Sequence, residues 1–287
     1  MYDAAIVGTG PAGLSAALTL KLNNKNILWL GSPRICEKVR KAPQVDNYPG
    51  LPAIRGEELA DAFQKHADEM GLEVQDHMVN NIIPMGGSYA LMAESEFYEA
   101  KTVILTTGVA VTAVLPGEER LLGHGVSYCA TCDGMLYRGK TIAVICNAAR
   151  LEHEVRYLAE IAGKVYYFPL YKTEETFDAP NLEVMTARPR GIEGDKHVEA
   201  VLCTDGTSLD VSGVFCLRTS VSLNALLSDV EREDGHIKVD RHQATNLPGI
   251  FAAGDCTGRP YQYTKAVGEG NVAAHSVVEY LDAEEYK

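Results

Sequence analysis

The stretch AAIVGTGPAGLSAAL near the N-terminus constrains the fold more than any other part of this 287-residue chain. It sets Gly8, Gly10 and Gly13 between an apolar run and a segment of helical periodicity. Gly8 permits a tight turn, Gly10 lets the backbone approach a pyrophosphate, and Gly13 allows close packing of helix against strand. The helix that follows offers unpaired amides and a positive dipole end to the phosphates. The pattern predicts strand 2–8, turn 8–13, helix 13–22 and strand 26–30, the βαβ opening of a dinucleotide-binding domain. The second strand ends LWLGSP, without the acidic residue that usually binds a ribose.

Downstream, apolar residues at Leu59, Phe63 and Met70 predict a helix over 57–70. Strands flank the Gly86-Gly87 turn, and AKTVILTTG reads as a buried strand. A second βαβ unit begins at Thr141, with strand TIAVIC, helix 149–162 and strand KVYYFPL. The region 182–217 is strand-rich, with turns at Gly194-Asp195 and Asp205-Gly206, and GIFAAGDC precedes a long closing helix.

Composition bears on the class of function. No apolar run approaches the roughly 18 residues of a membrane span. A net charge of −13 argues against bulk nucleic-acid binding. A strand that begins at residue 2 leaves no room for a signal peptide, so the expected location is cytoplasmic. Locally, SPRICEKVRKAP gathers Arg34, Lys38, Arg40 and Lys41 against Glu37, either a solvated loop or a patch for an acidic partner. Seven cysteines in such a compartment do not make a disulfide scaffold. Cys36, Cys146, Cys203, Cys216 and Cys256 are scattered and read as inert thiols, whereas Cys129 and Cys132 form C-x-x-C. A zinc site would need a second pair or histidines at ligand spacing, so no metal is expected and redox chemistry is the better reading.

Three further motifs give these pieces a family. TNLPGIFAAGDC resembles the second flavin fingerprint of the FAD-dependent disulfide reductases, and Thr106-Thr107-Gly108 their third short motif. Asn47 to Gly50, with Gln262 and Tyr263, matches loops that contact the isoalloxazine ring. The resemblance implies FAD held by Gly8, Gly10, Pro11, Ala12, Gly13, Asn47, Thr107, Gly108, Gly254, Asp255, Gln262 and Tyr263. In it, Asp255 accepts a hydrogen bond from a ribityl hydroxyl, and the next helix aims its N-terminus at the flavin N1–C2=O edge. SYCATCDG resembles the low-molecular-weight thioredoxin reductases, a likeness that spans essentially the whole chain. It implies two Rossmann-like α/β domains, the second inserted into the first: a FAD-binding domain of 1–110 and 236–287, and an insert of 111–235. It also implies a homodimer, Cys132 facing the flavin, Cys129 attacking the disulfide of thioredoxin, and Asp133 exchanging protons with the thiols.

The second βαβ unit departs from this pattern. NADPH-dependent relatives have a G-G-G-N-[ST]-A turn there and H-R-R after the next strand. This chain has Cys146, Asn147, Ala148, Ala149, Arg150 and Leu151, then Pro169-Leu170-Tyr171. YKTEETF adds acids beside a single Lys, and the later turn LRTSVSLN also lacks glycine. The departures resemble the ferredoxin-dependent flavin thioredoxin reductases, which lack pyridine-nucleotide motifs. The resemblance implies electrons passing from reduced ferredoxin through FAD and the Cys129–Cys132 disulfide to thioredoxin. From about −400 mV for plant-type ferredoxins to about −270 mV for thioredoxin, two electrons fall by roughly 6 kcal/mol. Two other readings stand beside it: a reductase fed by a second flavin or an unusual NAD(P)H mode, and a flavin-binding redox sensor.

Overall fold

A computed structural model describes residues 1–94, 96–109, 114–172, 177–218 and 226–285. The chain divides into two compact units, Met1–Ala110 with Leu227–Lys287, and Val111–Leu226. Residues 227–235 therefore belong with the first unit.

The first unit opens with β1 (Tyr2–Val7), α1 (Pro11–Leu22), β2 (Ile27–Leu30), α2 (Glu37–Arg40), α3 (Gly56–Glu69) and β3 (Val74–Gln75). A meander follows: β4 (Val79–Pro84), β5 (Tyr89–Ala93) and β6 (Glu96–Leu105). Strands β3, β2, β1 and β6 pair in parallel, and β5 and β4 continue antiparallel from β6. The helix after the glycine turn starts at Pro11 rather than at residue 13. Gly10 is its extended cap, and Pro11 occupies the first turn, where a missing N–H costs no helix bond. Ile6, Leu20, Trp29, Leu59 and Ile104 are fully buried in one core, and each such side chain contributes about 2 kcal/mol of burial.

The inserted unit comprises β7 (Val126–Ser127), α4 (Ala130–Asp133), β8 (Thr141–Cys146), α5 (Glu152–Ile161), β9 (Lys164–Pro169) and β10 (Leu182–Val184). An antiparallel trio follows, β11 (Pro189–Glu193), β12 (Ala200–Cys203) and β13 (Ser208–Asp210), then β14 (Gly213–Leu217). Strand order β10-β9-β8-β14-β7 makes a second parallel sheet. The sequence did not announce β7 or α4, each being too short to display a period. The expected helix 149–162 begins as a 3-10 turn, Ala149–Leu151, before α5.

Returning to the first unit, the chain adds the hairpin β15 (Arg232–Glu233) and β16 (His236–Ile237), then β17 (Ile250–Ala252) and α6 (Tyr263–Glu285). β17 pairs in parallel with the C-terminal half of β6. α6 packs on α1 through small residues: a Cβ at Gly270 would strike the Ala12 carbonyl. Ser15 Oγ donates to Val267 O at 2.7 Å, and Asn271 Nδ2 to Thr19 Oγ1 at 3.0 Å. No described helix is long and apolar enough to cross a membrane. Both units are Rossmann-like α/β folds, the second set within the first in sequence.

Candidate active site

In the first unit, β1, α1 and β6 shape the glycine turn. Gly8 has φ +116°, where a side chain is strained, and a Cβ there would strike the Thr106 carbonyl. A Cβ at Gly13 would strike the Gly8 carbonyl, whereas one at Gly10 would meet no described atom within 4 Å. Two glycines are thus required by packing, and the third leaves open space beside the N-terminus of α1, where an anion is favoured. The turn is braced from below: Trp29 Nε1 donates to Gly8 O at 2.9 Å, and Thr106 Oγ1 lies 3.0 Å from the Val7 and Gly8 carbonyls.

The other residues expected around a flavin collect on this unit. Gly254, at φ +88°, faces α1, and a Cβ there would lie 3.0 Å from that of Ala12. Asp255 follows in a one-turn 3-10 helix, half-buried. Burial raises its carboxyl above the usual range, with Lys38 and Lys265 pulling it back and Glu269 adding to the rise. Lys38 Nζ donates to Val109 O at 3.1 Å and lies 3.6 Å from where a Cβ of Gly108 would be. Asn47 Nδ2 donates to Gln262 Oε1 at 2.7 Å, joining two segments far apart in sequence. Ala266 N donates to Gln262 O, which sets Gln262 at the start of α6 and Tyr263 in its first turn. A bracket that the sequence did not disclose holds the Asp255 turn. Glu269 Oε2 accepts from Gly254 N at 2.8 Å and Thr257 Oγ1 at 3.0 Å, and pairs with Lys265 Nζ at 2.9 Å. Lys265 Nζ also reaches the Gly254 and Gly258 carbonyls at 3.0 Å. Its only sequence trace is Lys265 and Glu269 at helical i,i+4 spacing.

The basic segment 34–41 is largely engaged within its own unit. Arg34 pairs with Glu37 at 2.9 Å and Arg40 with Asp61 at 2.6 Å, while Lys38 serves the Val109 carbonyl. Cys36 and Cys256 are buried, which pushes their thiols up to about 12 and about 11. All five scattered cysteines are buried and free, as inert core thiols would be.

In the inserted unit, Cys129 and Cys132 form a disulfide, their Cα atoms 5.3 Å apart. Cys129 is buried and caps α4, its sulfur accepting the Cys132 amide at 3.1 Å, while Cys132 is exposed. Ser127 Oγ lies 2.7 Å from Asp133 Oδ2 and accepts the Cys129 amide at 3.1 Å. That hydroxyl therefore links the expected acid to the backbone of the redox pair. Glu154, buried in the first turn of α5, accepts the Ala130 amide at 3.4 Å.

The second βαβ turn is filled from within. Leu151 is buried with Val144, Val155 and Leu158. Cys146 Sγ donates to Ala148 O, and the amides of Asn147 and Leu170 are taken by Leu217 O and Cys146 O. Glu152, 5 % exposed, places its carboxylate in the first turn of α5. It accepts Tyr171 OH at 2.6 Å and Tyr167 OH at 3.4 Å, and the two phenols lie 2.7 Å apart. Burial pushes both phenols up, and the Glu152 carboxylate raises them further. The helix end that would face a phosphate thus carries its own anion, fixed by two tyrosines. Residues 173–176 of the YKTEETF segment and 219–224 of LRTSVSLN lie outside the described residues.

Comparison with known proteins agrees with this geometry. The sequence profile of the pyridine nucleotide-disulphide oxidoreductases matches residues 2–149 and 172–270. A crystal structure of a ferredoxin-flavin thioredoxin reductase from Clostridium acetobutylicum is 44% identical, with a TM-score of 0.90 over 100% of this chain and 99% of that one. The atypical thioredoxin reductase TRi of Desulfovibrio vulgaris Hildenborough is 30% identical over 99% of both chains, with a TM-score of 0.73. Thioredoxin reductase of Treponema pallidum (strain Nichols) is 31% identical over 98% of this chain and 97% of its own length. FAD is the cofactor of such enzymes, and the glycine cradle beside Thr106 and the Gly254–Asp255 turn suit it. The chain belongs to the pyridine nucleotide-disulphide oxidoreductase family, as a thioredoxin reductase-like flavoprotein.

Proposed function

We propose that this protein carries electrons from reduced ferredoxin to thioredoxin, with FAD in the Gly8–Gly13 cradle and Cys129–Cys132 as the disulfide that is reduced and re-formed. The observation that carries the donor assignment is the second βαβ turn. Leu151 fills the close contact, and the Glu152 carboxylate holds the helix N-terminus that an incoming pyrophosphate would need. An anionic dinucleotide would meet a fixed negative charge and would have to break the Tyr171 hydrogen bond. The likeness to the Clostridium acetobutylicum enzyme supports the same donor.

FAD, when bound, supplies a centre that takes electrons singly and gives them in pairs. In the first unit, the cradle would hold its pyrophosphate, Asp255 would meet its ribityl chain, and the Asn47–Gln262 pair would border the ring. Two ferredoxins supply two electrons, and two protons are taken up as the Cys129–Cys132 bond opens to two thiols. Asp133, oriented by Ser127, exchanges protons with those thiols. Cys129 then attacks the thioredoxin disulfide as a thiolate: its sulfur forms the mixed bond, thioredoxin's second sulfur leaves, and Cys132 resolves the intermediate. Cys129 is assigned this role because its sulfur receives the Cys132 amide, which favours the thiolate there.

Trapping tests the assignment. Cys132→Ser should accumulate a covalent adduct with thioredoxin on Cys129, detected by non-reducing electrophoresis and peptide mapping, whereas Cys129→Ser should not. An adduct found only with Cys129→Ser would reverse the roles of the two cysteines. In turnover, reduced ferredoxin, this protein and oxidised thioredoxin should together yield reduced thioredoxin, with the protein omitted as control. No reduction above that control would refute the proposed relay.

A further inference from the structure

One buried charge cluster in the inserted unit has no part in the function just described. Glu118 has no exposed surface, and Arg218 is 4 % exposed. Glu118 Oε2 accepts Arg218 Nη2 at 2.6 Å and the Leu115 amide at 2.8 Å, while Oε1 accepts Tyr128 OH at 2.9 Å. The three side chains come from separate places. Glu118 lies soon after the unit begins at Val111, Arg218 follows β14 shortly before the unit ends at Leu226, and Tyr128 immediately precedes Cys129. β7 and β14 run in parallel register, Val126 with Val214 and Ser127 with Phe215, so the edge of the sheet leads directly into the disulfide. Burial, with the Glu118 charge next to each, pushes the Tyr128 phenol and the Cys216 thiol up, so both remain neutral donors around the carboxylate.

A buried ion pair is a poor way to gain stability, because desolvation offsets most of the attraction. It is a good way to fix geometry, because the charges tolerate few arrangements. We propose that Glu118, Arg218 and Tyr128 form a positioning device for the redox pair, which anchors the strand-to-helix corner so that Cys129 Sγ stays on the Cys132 amide once the disulfide opens. Tyr128 is the arm that reaches the corner, and the ion pair is the fixture it is bolted to. Among the described residues, the charged and titratable groups linked to the Cys129 corner include Asp133 through Ser127, Glu154 on the Ala130 amide, and this cluster through Tyr128. Of these, Tyr128 is the one whose hydroxyl can be removed without touching a group assigned to proton exchange.

The inference rests on the exchange chemistry proposed above, and a donor-free assay separates the two. Full-length flavoprotein is reduced with dithiothreitol, freed of reductant and mixed with oxidised thioredoxin, and the thiols of wild type and Tyr128→Phe are alkylated with iodoacetamide across pH. The positioning role predicts that Tyr128→Phe retains flavin and folds normally, yet exchanges with thioredoxin about tenfold more slowly near neutrality. Its alkylation profile should move to higher pH by about one unit, so that the exchange defect closes in alkaline solution. In a Glu118→Gln, Arg218→Met background, which removes both charges together, Tyr128→Phe should add little further loss. An unchanged alkylation profile, or an exchange defect that persists equally at all pH, overturns the inference and leaves the cluster a packing feature. If wild type itself fails to exchange with thioredoxin, the functional reading falls and takes this inference with it.

Discussion

Two strand-to-helix turns, 7–11 in the first unit and 146–152 in the second, begin from the same local design and end with opposite chemistry. Each follows a buried parallel strand and leads into a helix whose N-terminus is able to hold an anion. In the first, glycines at 8 and 13 remove the atoms that would strike Thr106 and the turn itself, and the space beside Gly10 stays open. In the second, a leucine enters the core and a glutamate of the helix's own first turn supplies the negative charge. The strand and the helix thus persist where the glycines do not, and the unit they build carries the Cys129–Cys132 disulfide. Gly134, just after α4, packs against α5, where a Cβ would lie 3.2 Å from Leu158 and Tyr157.

Substitutions at matched points separate the two turns. Gly13→Val drives a side chain into the Gly8 carbonyl, so the protein should purify without flavin and lose thioredoxin reduction by about 100-fold or more. Flavin absorbance per protein measures this, and retention of full flavin would show that the cradle is not the binding turn. Leu151→Ala, at the equivalent point of the second turn, should leave flavin content unchanged and cost about 2–5 kcal/mol of stability through the cavity it creates. Denaturant unfolding checks it. Gain of tight NADPH binding by this variant would mean that Leu151 alone had closed the site. Tyr171→Phe removes one hydrogen bond to the Glu152 carboxylate and should cost about 1–3 kcal/mol, again with flavin retained.

The smallest effect concerns pH. Asp255 has its carboxyl raised in the folded chain, chiefly by burial, from an ordinary value of 3.8. The flavin-free folded state therefore binds more protons than the unfolded state from pH 3.8 up to the raised value. Stability from this group is present at low pH and is lost as pH rises through that window. Asp255→Asn should flatten this limb in denaturation curves of the flavin-free protein and weaken flavin binding. An unaltered slope would place the titrating group elsewhere.

How much of this was legible in the sequence follows the range of each interaction. The Gly8–Gly13 turn, the Cys129–Cys132 pair and the glycine-free second turn are local patterns, and each was readable. Helix edges were less so: Pro11 begins α1 two residues early because proline fits a first turn, and a 3-10 turn delays α5. What fills the second turn could not be read, since Glu152 meets Tyr171 at a separation of 19 residues, with no periodic signal between them. The Glu118–Arg218 pair spans 100 residues, and Tyr128 reaches it from just beyond β7, which runs in parallel register with β14. Asn47 and Gln262 were each placed by family likeness, yet their mutual hydrogen bond across 215 residues is a property of the folded chain alone.

The claim that the second turn no longer admits a nucleotide, and that electrons enter from ferredoxin, is tested most directly by following the flavin's visible absorbance after rapid anaerobic mixing. Reduced ferredoxin should bleach the oxidised protein within turnover time, and saturating NADPH should leave it unchanged over the same interval. Rapid bleaching by NADPH, with none from ferredoxin, would contradict the account.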